Sequence, residues 1–253
     1  MPRMQQAREY ERRARRALRQ YGRAAVLGGY LMLYVNGKAA SEFDAALKEG
    51  YTVTGMEITE ASYSHLRNRS TLIYHDTVLG LKSITFSMDF HGADEHELAL
   101  KKSMLDAEIF GNCELILPDG FQYSCVCSSL GQEDFHGPNL LEVSYQLTGL
   151  RHGSRQKVSG KTVFCESTLP KTDCILSVKV GASGKNYKIG TVTFSTVTAG
   201  ENLCVDGITK RVLVNGVPAA QRAEWMEFPY LKPGLNTIVC QDVPTVEFYP
   251  AYF

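Results

Sequence analysis

The sequence lacks any apolar run long enough to cross a bilayer and any motif of a known catalytic site. The longest apolar stretch near the start, residues 24–35, is interrupted by Gly28 and Gly29, and a membrane-spanning helix needs about 20 apolar residues. Neither G-x-S-x-G nor H-E-x-x-H occurs. The glycines of the segment 181–185 (GASGK) are too close together for a P-loop. We therefore expect no membrane span, no enzymatic activity and no cofactor.

The seven cysteines do not form the even, closely spaced set that is typical of a disulfide-stapled secreted domain. Cys125 and Cys127 are separated by one residue, whereas zinc sites usually use C-x₂-C or a similar turn. On a strand, positions i and i+2 lie on the same face. This spacing favours burial of both thiols as small apolar groups over a metal site, and we expect no metal.

The sequence also lacks net charge, because 27 basic residues balance 27 acidic ones. That balance hides an asymmetry. Residues 1–24 hold eight Arg and two Glu, a net charge of +6, and the remainder carries −6. A mildly acidic body does not favour nucleic-acid binding through bulk charge.

The basic segment 1–29 has apolar residues at helical spacing, among them Tyr10, Leu18 and Tyr21, with arginines on the other faces. It is predicted to be a basic amphipathic helix. Such helices bind acidic membranes or acidic partners. A solvated leader is the simpler interpretation, since the apolar stripe is mostly alanine. Met32 also precedes a good strand, so the segment is equally consistent with an extension upstream of the usual start.

From Leu31 onward the pattern is that of short strands with turns. Asn36-Gly37, Asp119-Gly120 and Asn215-Gly216 are hairpin signals between apolar strands. Asp94 and Glu97 form a capping box that predicts one helix ending at Gly111. The polar segment 61–70 is predicted to be a loop, and 187–194 a single strand.

The domain organisation follows from this pattern. Residues 151–161 contain no large aliphatic residue except Val158, which is typical of a linker. We predict a basic extension over 1–29, a first domain over 30–153 with the helix, a linker over 154–161 and a second β domain over 162–253. The fold class is mainly β, with two β-sandwich-like domains.

The second domain carries a recognisable series of motifs. They are LCVD at 203–206, KRVLVNG at 210–216, WMEFPYLKPGLN at 225–236 and VEFYP at 246–250. This series resembles the distal tail protein (Dit) family of long-tailed phages. Strand and turn patterns earlier in the chain extend the resemblance over about residues 31–253. The motif positions are Asp206, Asn215, Gly216, Trp225, Glu227, Phe228, Pro229, Leu231, Pro233, Gly234, Asn236, Tyr249 and Pro250.

The resemblance implies a structural protein of the virion tail tip, or baseplate, made in the host cytoplasm. Members form a hexameric ring through an N-terminal domain, and their galectin-like C-terminal domain projects outward. The implied partners are the tail tube protein, the tail-associated hub protein, the tape measure protein and receptor-binding or baseplate proteins, around a channel for DNA. The expected ring interface is the helix 94–109 and the hairpin 113–129. The candidate residues there are Asp94, Glu97, Lys101, Lys102, Asp119 and Gly120.

An alternative function is a carbohydrate-binding module that attaches phage to the host surface. It is suggested by the aromatic residues that crowd the C-terminal quarter, Trp225 and Phe228 among them. Exposed aromatic faces match the C–H faces of sugars, although aromatic residues on strands more often pack in the core. An enzyme with an unrecognised site is a third and weaker hypothesis.

Overall fold

The computed structural model describes residues 32–48, 50–56, 58–65 and 72–253. The predicted N-terminal helix therefore lies outside the described residues. The chain divides into two compact units, the first ending at Arg151 and the second running from His152 to Phe253. Among the described residues, no helix has the length and apolar character needed to span a membrane.

The first unit is built on a curled antiparallel sheet. The strands of the first unit are β1 (Tyr34–Val35), β2 (Lys38–Ala39), β3 (Ala45–Leu47), β4 (Thr52–Val53), β5 (Ile58–His65), β6 (Leu72–Leu79), β7 (Lys82–His91), β8 (Asn112–Ile116), β9 (Gln122–Ser129), β10 (Glu133–Phe135) and β11 (Leu140–His152). All of them except β5 and β6 belong to this sheet. The strand order is β2-β1-β8-β9-β11-β7-β3, with β4 also pairing with β7 and β10 with β11. A short 3-10 helix, Ala40–Phe43, connects β2 to β3.

The helix α1 (Glu95–Ile109) connects β7 to β8 and starts at the predicted capping box. The Asp94 carboxylate accepts the Glu97 N–H at 2.8 Å, and the Glu97 carboxylate accepts the Ala93 N–H at 2.7 Å. The first bond satisfies a backbone donor that the first helical turn leaves free. The second departs from the predicted capping box, because Glu97 accepts from Ala93, the residue before the N-cap, and not from the N-cap Asp94. The helix packs Leu98, Leu105 and Ile109, all fully buried, into the core of the first unit.

The predicted hairpin turns are confirmed. Asn36 and Gly37 have φ of 50° and 79° between β1 and β2, as a type I′ turn requires. The Asp119-Gly120 turn joins β8 to β9, with Ile116 opposite Gln122. The two-residue Asn36-Gly37 turn fixes the register of β1 and β2, because it allows only one pairing of its flanking strands. The β8–β9 connection is longer and spans residues 117–121, with the Gly120 N–H donated to the Leu117 carbonyl at 2.9 Å.

The predicted loop over 61–70 is wrong in its first half. Residues 61–65 belong to β5, which pairs with β6 from Ile58 opposite Leu79 to His65 opposite Leu72. The sequence of this strand is polar and does not alternate, so hydrophobic periodicity could not detect it. Its pairing comes from main-chain hydrogen bonds, which need no apolar face. In the described part of the chain β5 and β6 pair only with each other.

The second unit is entirely strand, turn and one short 3-10 helix, Ala220–Arg222. Its strands are β12 (Gln156–Ser159), β13 (Thr162–Cys165), β14 (Thr172–Lys179), β15 (Gly184–Ile189), β16 (Val192–Val197), β17 (Asn202–Asp206), β18 (Arg211–Val214), β19 (Val217–Pro218), β20 (Ala223–Trp225), β21 (Tyr230–Leu231), β22 (Gly234–Thr237), β23 (Thr245–Phe248) and β24 (Ala251–Tyr252). The main sheet has the order β12-β23-β14-β17-β18-β19, and a second sheet has the order β15-β16-β20.

Both sheets face one core. Alternate residues of the main sheet, such as Leu176, Val205 and Phe248, are fully buried together with Ile189 and Phe194 of the second sheet. This arrangement follows from the period-2 alternation of the sequence. The mainly-β fold class predicted from the sequence is confirmed.

Two sequence-based boundaries differ from the structure. The single strand expected over 187–194 is two strands, because Gly190, with φ of 58°, and Thr191 form a tight turn between β15 and β16. The expected linker over 154–161 contains β12, which pairs with β23 from Gln156 opposite Phe248 to Ser159 opposite Thr245. A polar edge strand has the composition of a linker, so composition could not distinguish the two.

The burial of α1 predicts unequal effects for two of its leucines. Leu105→Ala should lower the free energy of unfolding by about 2–5 kcal/mol, because it opens a cavity in the core. Leu100→Ala, at a position that is 53% exposed, should change it by less than about 0.5 kcal/mol. Urea denaturation followed by far-UV circular dichroism measures both. Equal effects of the two substitutions would contradict the packing described for α1.

Candidate functional site

The interface residues predicted at the start of α1 are occupied by contacts inside the first unit. The Lys101 ammonium pairs with Glu97 at 2.7 Å and with Asp44 at 2.9 Å, and donates to the His91 carbonyl at 2.8 Å. Asp94 caps the helix. Whether these residues also contact a second molecule stays a prediction, but their described partners already give each a role in the fold.

Lys102, another predicted interface residue, is only 7% exposed. Its ammonium pairs with Asp106 at 2.5 Å and with Glu133 at 3.4 Å. Burial by itself lowers the pKa of Lys102, but the hydrogen bond to Asp106 and the nearby carboxylates raise it above its ordinary value. The Tyr145 hydroxyl donates to the other Asp106 oxygen at 2.9 Å, and burial, followed by the Asp106 charge, raises its pKa. This network joins α1 to β11.

The tip of the β8–β9 hairpin is also tied inward. Asp119 accepts the Tyr123 hydroxyl at 2.5 Å and the Phe121 N–H at 3.0 Å. The Arg151 guanidinium lies 4.7 Å from the centre of the Phe121 ring and donates to the Tyr123 hydroxyl at 2.9 Å. Asp119 and Gly120 therefore shape the turn, and the side chain of Asp119 is held against its own hairpin.

The outward face of α1 carries apolar residues that the sequence reasoning did not select. Leu100 is 53% exposed, Met104 58% and Phe110, at the end of the helix, 76%. Ala107 is exposed between them. We call this set, Leu100, Met104, Ala107 and Phe110, the outer helix face. The sequence contained the signal, because positions 100, 104 and 107 have the spacing of a second helical stripe, on the side of the helix opposite the buried one.

In the second unit, the motif residues of the 203–216 region hold turns. The Asp206 carboxylate accepts the N–H groups of Ile208 and Thr209, both at 2.9 Å, and the Thr209 hydroxyl at 2.6 Å. Asn215 and Gly216 form the β18–β19 turn, and the Asn215 side chain accepts the Asn202 N–H at 2.9 Å. These residues define the connections of the main sheet.

The motif segment 225–236 contains a second fixed turn. Gly234 has φ of 91° directly after Pro233, as a type II turn requires. The Asn236 side chain accepts the Lys232 N–H at 2.9 Å and donates to the Lys232 and Gly234 carbonyls at 2.7 and 3.0 Å. Asn236 therefore caps this turn. Earlier in the segment, Pro229 and Leu231 are buried.

The sequence reasoning missed Gly207, the residue that follows Asp206. A Cβ atom there would lie 2.5 Å from the Pro229 carbonyl oxygen and 2.6 Å from the Cys174 carbonyl oxygen. Only glycine allows this close approach of the β17–β18 turn to two other strands. The LCVDG sequence gave no spacing signal, because the constraint depends on residues far away in the chain.

The aromatic residues of the motif do not form one flat platform. Trp225 is 37% exposed, and its ring lies 5.3 Å from that of Phe228 at an angle of 57°. Lys210 lies 5.8 Å from the Phe228 ring centre, and Lys171 lies 4.6 Å from that of Tyr230.

The remaining motif residues, Glu227, Tyr249 and Pro250, each make separate contacts. The Glu227 carboxylate pairs with Lys171 at 2.7 Å, and Tyr249 stacks edge-on against His152 with ring centres 5.3 Å apart. Pro250 is buried, and its carbonyl accepts the Gly153 N–H at 2.8 Å.

The described residues contain no group of three or more His, Cys, Asp or Glu side chains that could hold a metal ion. Cys125 is buried and Cys127 partly buried, both on the core side of β9, in agreement with the burial interpretation. Burial raises the pKa of Cys113 to about 11 and raises that of Cys125 further. These thiols stay protonated at neutral pH, which does not suit a nucleophile or a metal ligand.

Comparison with solved structures identifies the fold. The crystal structure of the SPP1 Dit protein (gp 19.1) matches 88% of this chain and 99% of its own length, with a TM-score of 0.61 and 12% sequence identity. The chain has a Dit-like fold. The resemblance found in the sequence motifs is thus confirmed for the fold, even though the sequence matches no protein-family model and no curated protein.

Two structures of the phage P2 baseplate in its activated conformation, with calcium and with strontium, are similar at a lower level. They give TM-scores of 0.48 and 0.46, at 6% and 7% identity, over 86% of this chain and 97% of theirs. The SPP1 protein is described as a paradigm of the hub adsorption apparatus in phages that infect Gram-positive bacteria.

The buried network around Asp106 predicts a large effect of removing one partner. Asp106→Leu should lower the free energy of unfolding by about 3–5 kcal/mol, because it leaves the Lys102 ammonium buried without its main partner. The double variant Lys102→Met/Asp106→Leu should recover part of this loss, since it removes both charges but leaves the buried Tyr145 hydroxyl without its acceptor. Denaturation curves of the two variants test the network. A double variant as unstable as the single one would contradict it.

Proposed function

We propose that this protein is a structural component of a phage tail tip that forms a hexameric ring. The ring joins the tail tube protein to the tail-associated hub protein and to receptor-binding or baseplate proteins. The ring leaves a channel for DNA, and the tape measure protein lies inside this channel before the DNA is released. The protein acts in the virion, after synthesis in the host cytoplasm, and has no enzymatic role.

The fold likeness to the SPP1 Dit protein carries this proposal. It extends over both units, because 88% of this chain and 99% of that one are matched. The sequence motifs point to the same family independently. A net charge of −6 outside residues 1–24 agrees with a channel that lets DNA pass without holding it.

Two features of the first unit support assembly. The outer helix face exposes Leu100 and Met104 four residues apart, and Phe110 is exposed directly after the helix. Exposed apolar side chains that are grouped at a surface are typical of protein contacts. The β5–β6 hairpin has no other strand beside it in the described part of the chain, and an isolated two-stranded hairpin is only marginally stable in water. Both features are expected of a subunit that is completed by its neighbours.

The ring proposal predicts a defined mass. Native mass spectrometry of the full-length protein should show a species of six times the 28.1 kDa monomer, alone or with the tail tube protein present. A closed ring gives one discrete mass because a heterologous interface that closes leaves no free patch. A monomer at every concentration, with tail partners present, would overturn the proposal.

The outer helix face predicts which substitution disrupts assembly. Met104→Glu should weaken self-association roughly 30-fold or more, because about 2 kcal/mol or more is needed to bury the new carboxylate. The matched control is Val217→Glu, an equally exposed apolar position in the second unit. Analytical ultracentrifugation measures association, and thermal unfolding verifies that both variants fold. Unchanged association of Met104→Glu would remove the outer helix face from the interface.

The carbohydrate-binding alternative has weaker support. Lysines lie near the Phe228 and Tyr230 rings, so within the motif segment 225–236 Trp225 is the aromatic residue that offers part of its ring to a sugar. Tyr249 and Phe253 are exposed elsewhere in the C-terminal quarter. A glycan array with the full-length protein and with Trp225→Ala distinguishes the two functions. Binding that is lost in the variant would favour the carbohydrate-binding module.

A further inference from the structure

The two larger sheets of the second unit have four edge strands in total. Three of these strands have features that prevent another strand from pairing with them. The edge strand β19 contains Pro218, which has no N–H. In β15 the Lys188 N–H is donated to the Gln241 side chain at 3.0 Å. In β12 the Lys157 ammonium pairs with Glu247 at 2.9 Å. Charged side chains, prolines and covered main chain are the usual devices that prevent edge pairing.

The fourth edge strand, β20, has no lysine and no proline, and its one charged side chain is the exposed Glu224. Its sequence is Ala223-Glu224-Trp225, without a bulge. It pairs through Ala223 opposite Phe194 and Trp225 opposite Val192, and in the second unit its only strand neighbour is β16. The main-chain groups on the other side of an antiparallel strand point away from its partner. In β20 these groups face no other strand of the unit.

The side chains at this edge are suited to a partner. Trp225 is 37% exposed, and Met226, the next residue, is fully exposed. A rigid aromatic ring and a flexible thioether are both enriched at protein interfaces. Glu224 is exposed and alternates with Ala223 and Trp225, so its carboxylate lies on the opposite face of the strand.

We propose that β20 accepts an extended segment of a different protein as an added strand. The main chain of the segment supplies the hydrogen bonds, a basic residue lies across from Glu224, and an apolar residue packs against Trp225 and Met226. Opposite charges directly across two strands stabilise their pairing. Because Glu224 and Trp225 lie on opposite faces of β20, the residues of the added segment should alternate between basic and apolar. The inference deepens the proposed function. It rests on that function in one respect only, namely that the partner is a tail component.

The probe is a short synthetic peptide of alternating lysine and valine, added to the full-length protein. Calorimetry should show binding in the range of about 100 μM. Hydrogen exchange should show new protection of the Ala223–Trp225 amides. A peptide N-methylated at alternate residues should bind at least about tenfold more weakly, because it cannot complete the ladder. Absence of binding up to millimolar peptide, or protection confined to other strands, would overturn the proposal.

Charge reversal tests the contact at Glu224. Glu224→Lys should shift the preference by about tenfold or more toward a peptide of alternating glutamate and valine. The matched control is Glu227→Gln, a nearby acid outside the strand, which should keep the wild-type preference. An unchanged preference in Glu224→Lys would contradict the pairing.

The mass of the full-length assembly distinguishes the remaining possibilities. If Glu224→Lys alters that mass, the edge is occupied by a second copy and the proposal of a separate partner fails. A hexamer without peptide binding would overturn this inference alone. Peptide binding by a protein that stays monomeric would overturn the ring alone.

Discussion

The first unit depends on how one carboxylate, that of Asp106, is shared between a helix and a strand. It accepts from Lys102 on α1 and from Tyr145 on β11, in a site from which most water is excluded. Unpaired, each of these groups would be costly to bury. Lys102 and Asp106 both lie on α1, so it is the hydrogen bond from Tyr145 that favours the rotation of the helix in which Asp106 faces β11. That rotation turns Leu98 and Leu105 inward, and it leaves Leu100 and Met104 outside.

The outer helix face is therefore a consequence of the core. A helix with one apolar stripe can bury it and leave a polar surface. Here a second stripe remains in contact with water, and its exposure cannot be relieved by rotating the helix without breaking the Asp106 network. The outer helix face is stable in the free subunit for this reason, and contact with another molecule is what would remove its apolar side chains from water.

Sequence patterns predicted this fold where local chemistry decides the structure. The turns at Asn36 and Asn215 were predicted because the required backbone angles involve neighbouring residues only. The failures have the opposite cause. Strand 58–65 is held by a partner strand, and Gly207 is required by carbonyls of Cys174 and Pro229, so neither shows in a local pattern. The interface candidates Asp94, Lys101 and Asp119 have partners within the first unit, and their contact with a second molecule stays a prediction.

The distinction between local and distant interactions also applies to the family resemblance. The resemblance reveals more about the fold than about contacts with partner proteins. Asp206, Asn215 and Asn236 shape turns through bonds to nearby main chain, so the motif they form specifies an architecture. A surface that binds a partner needs no such bonds. Trp225 differs from these residues because its ring packs against Phe228 and yet remains 37% exposed on an edge strand. Aromatic surface that the fold leaves in contact with water is best explained by a contact that the isolated unit lacks.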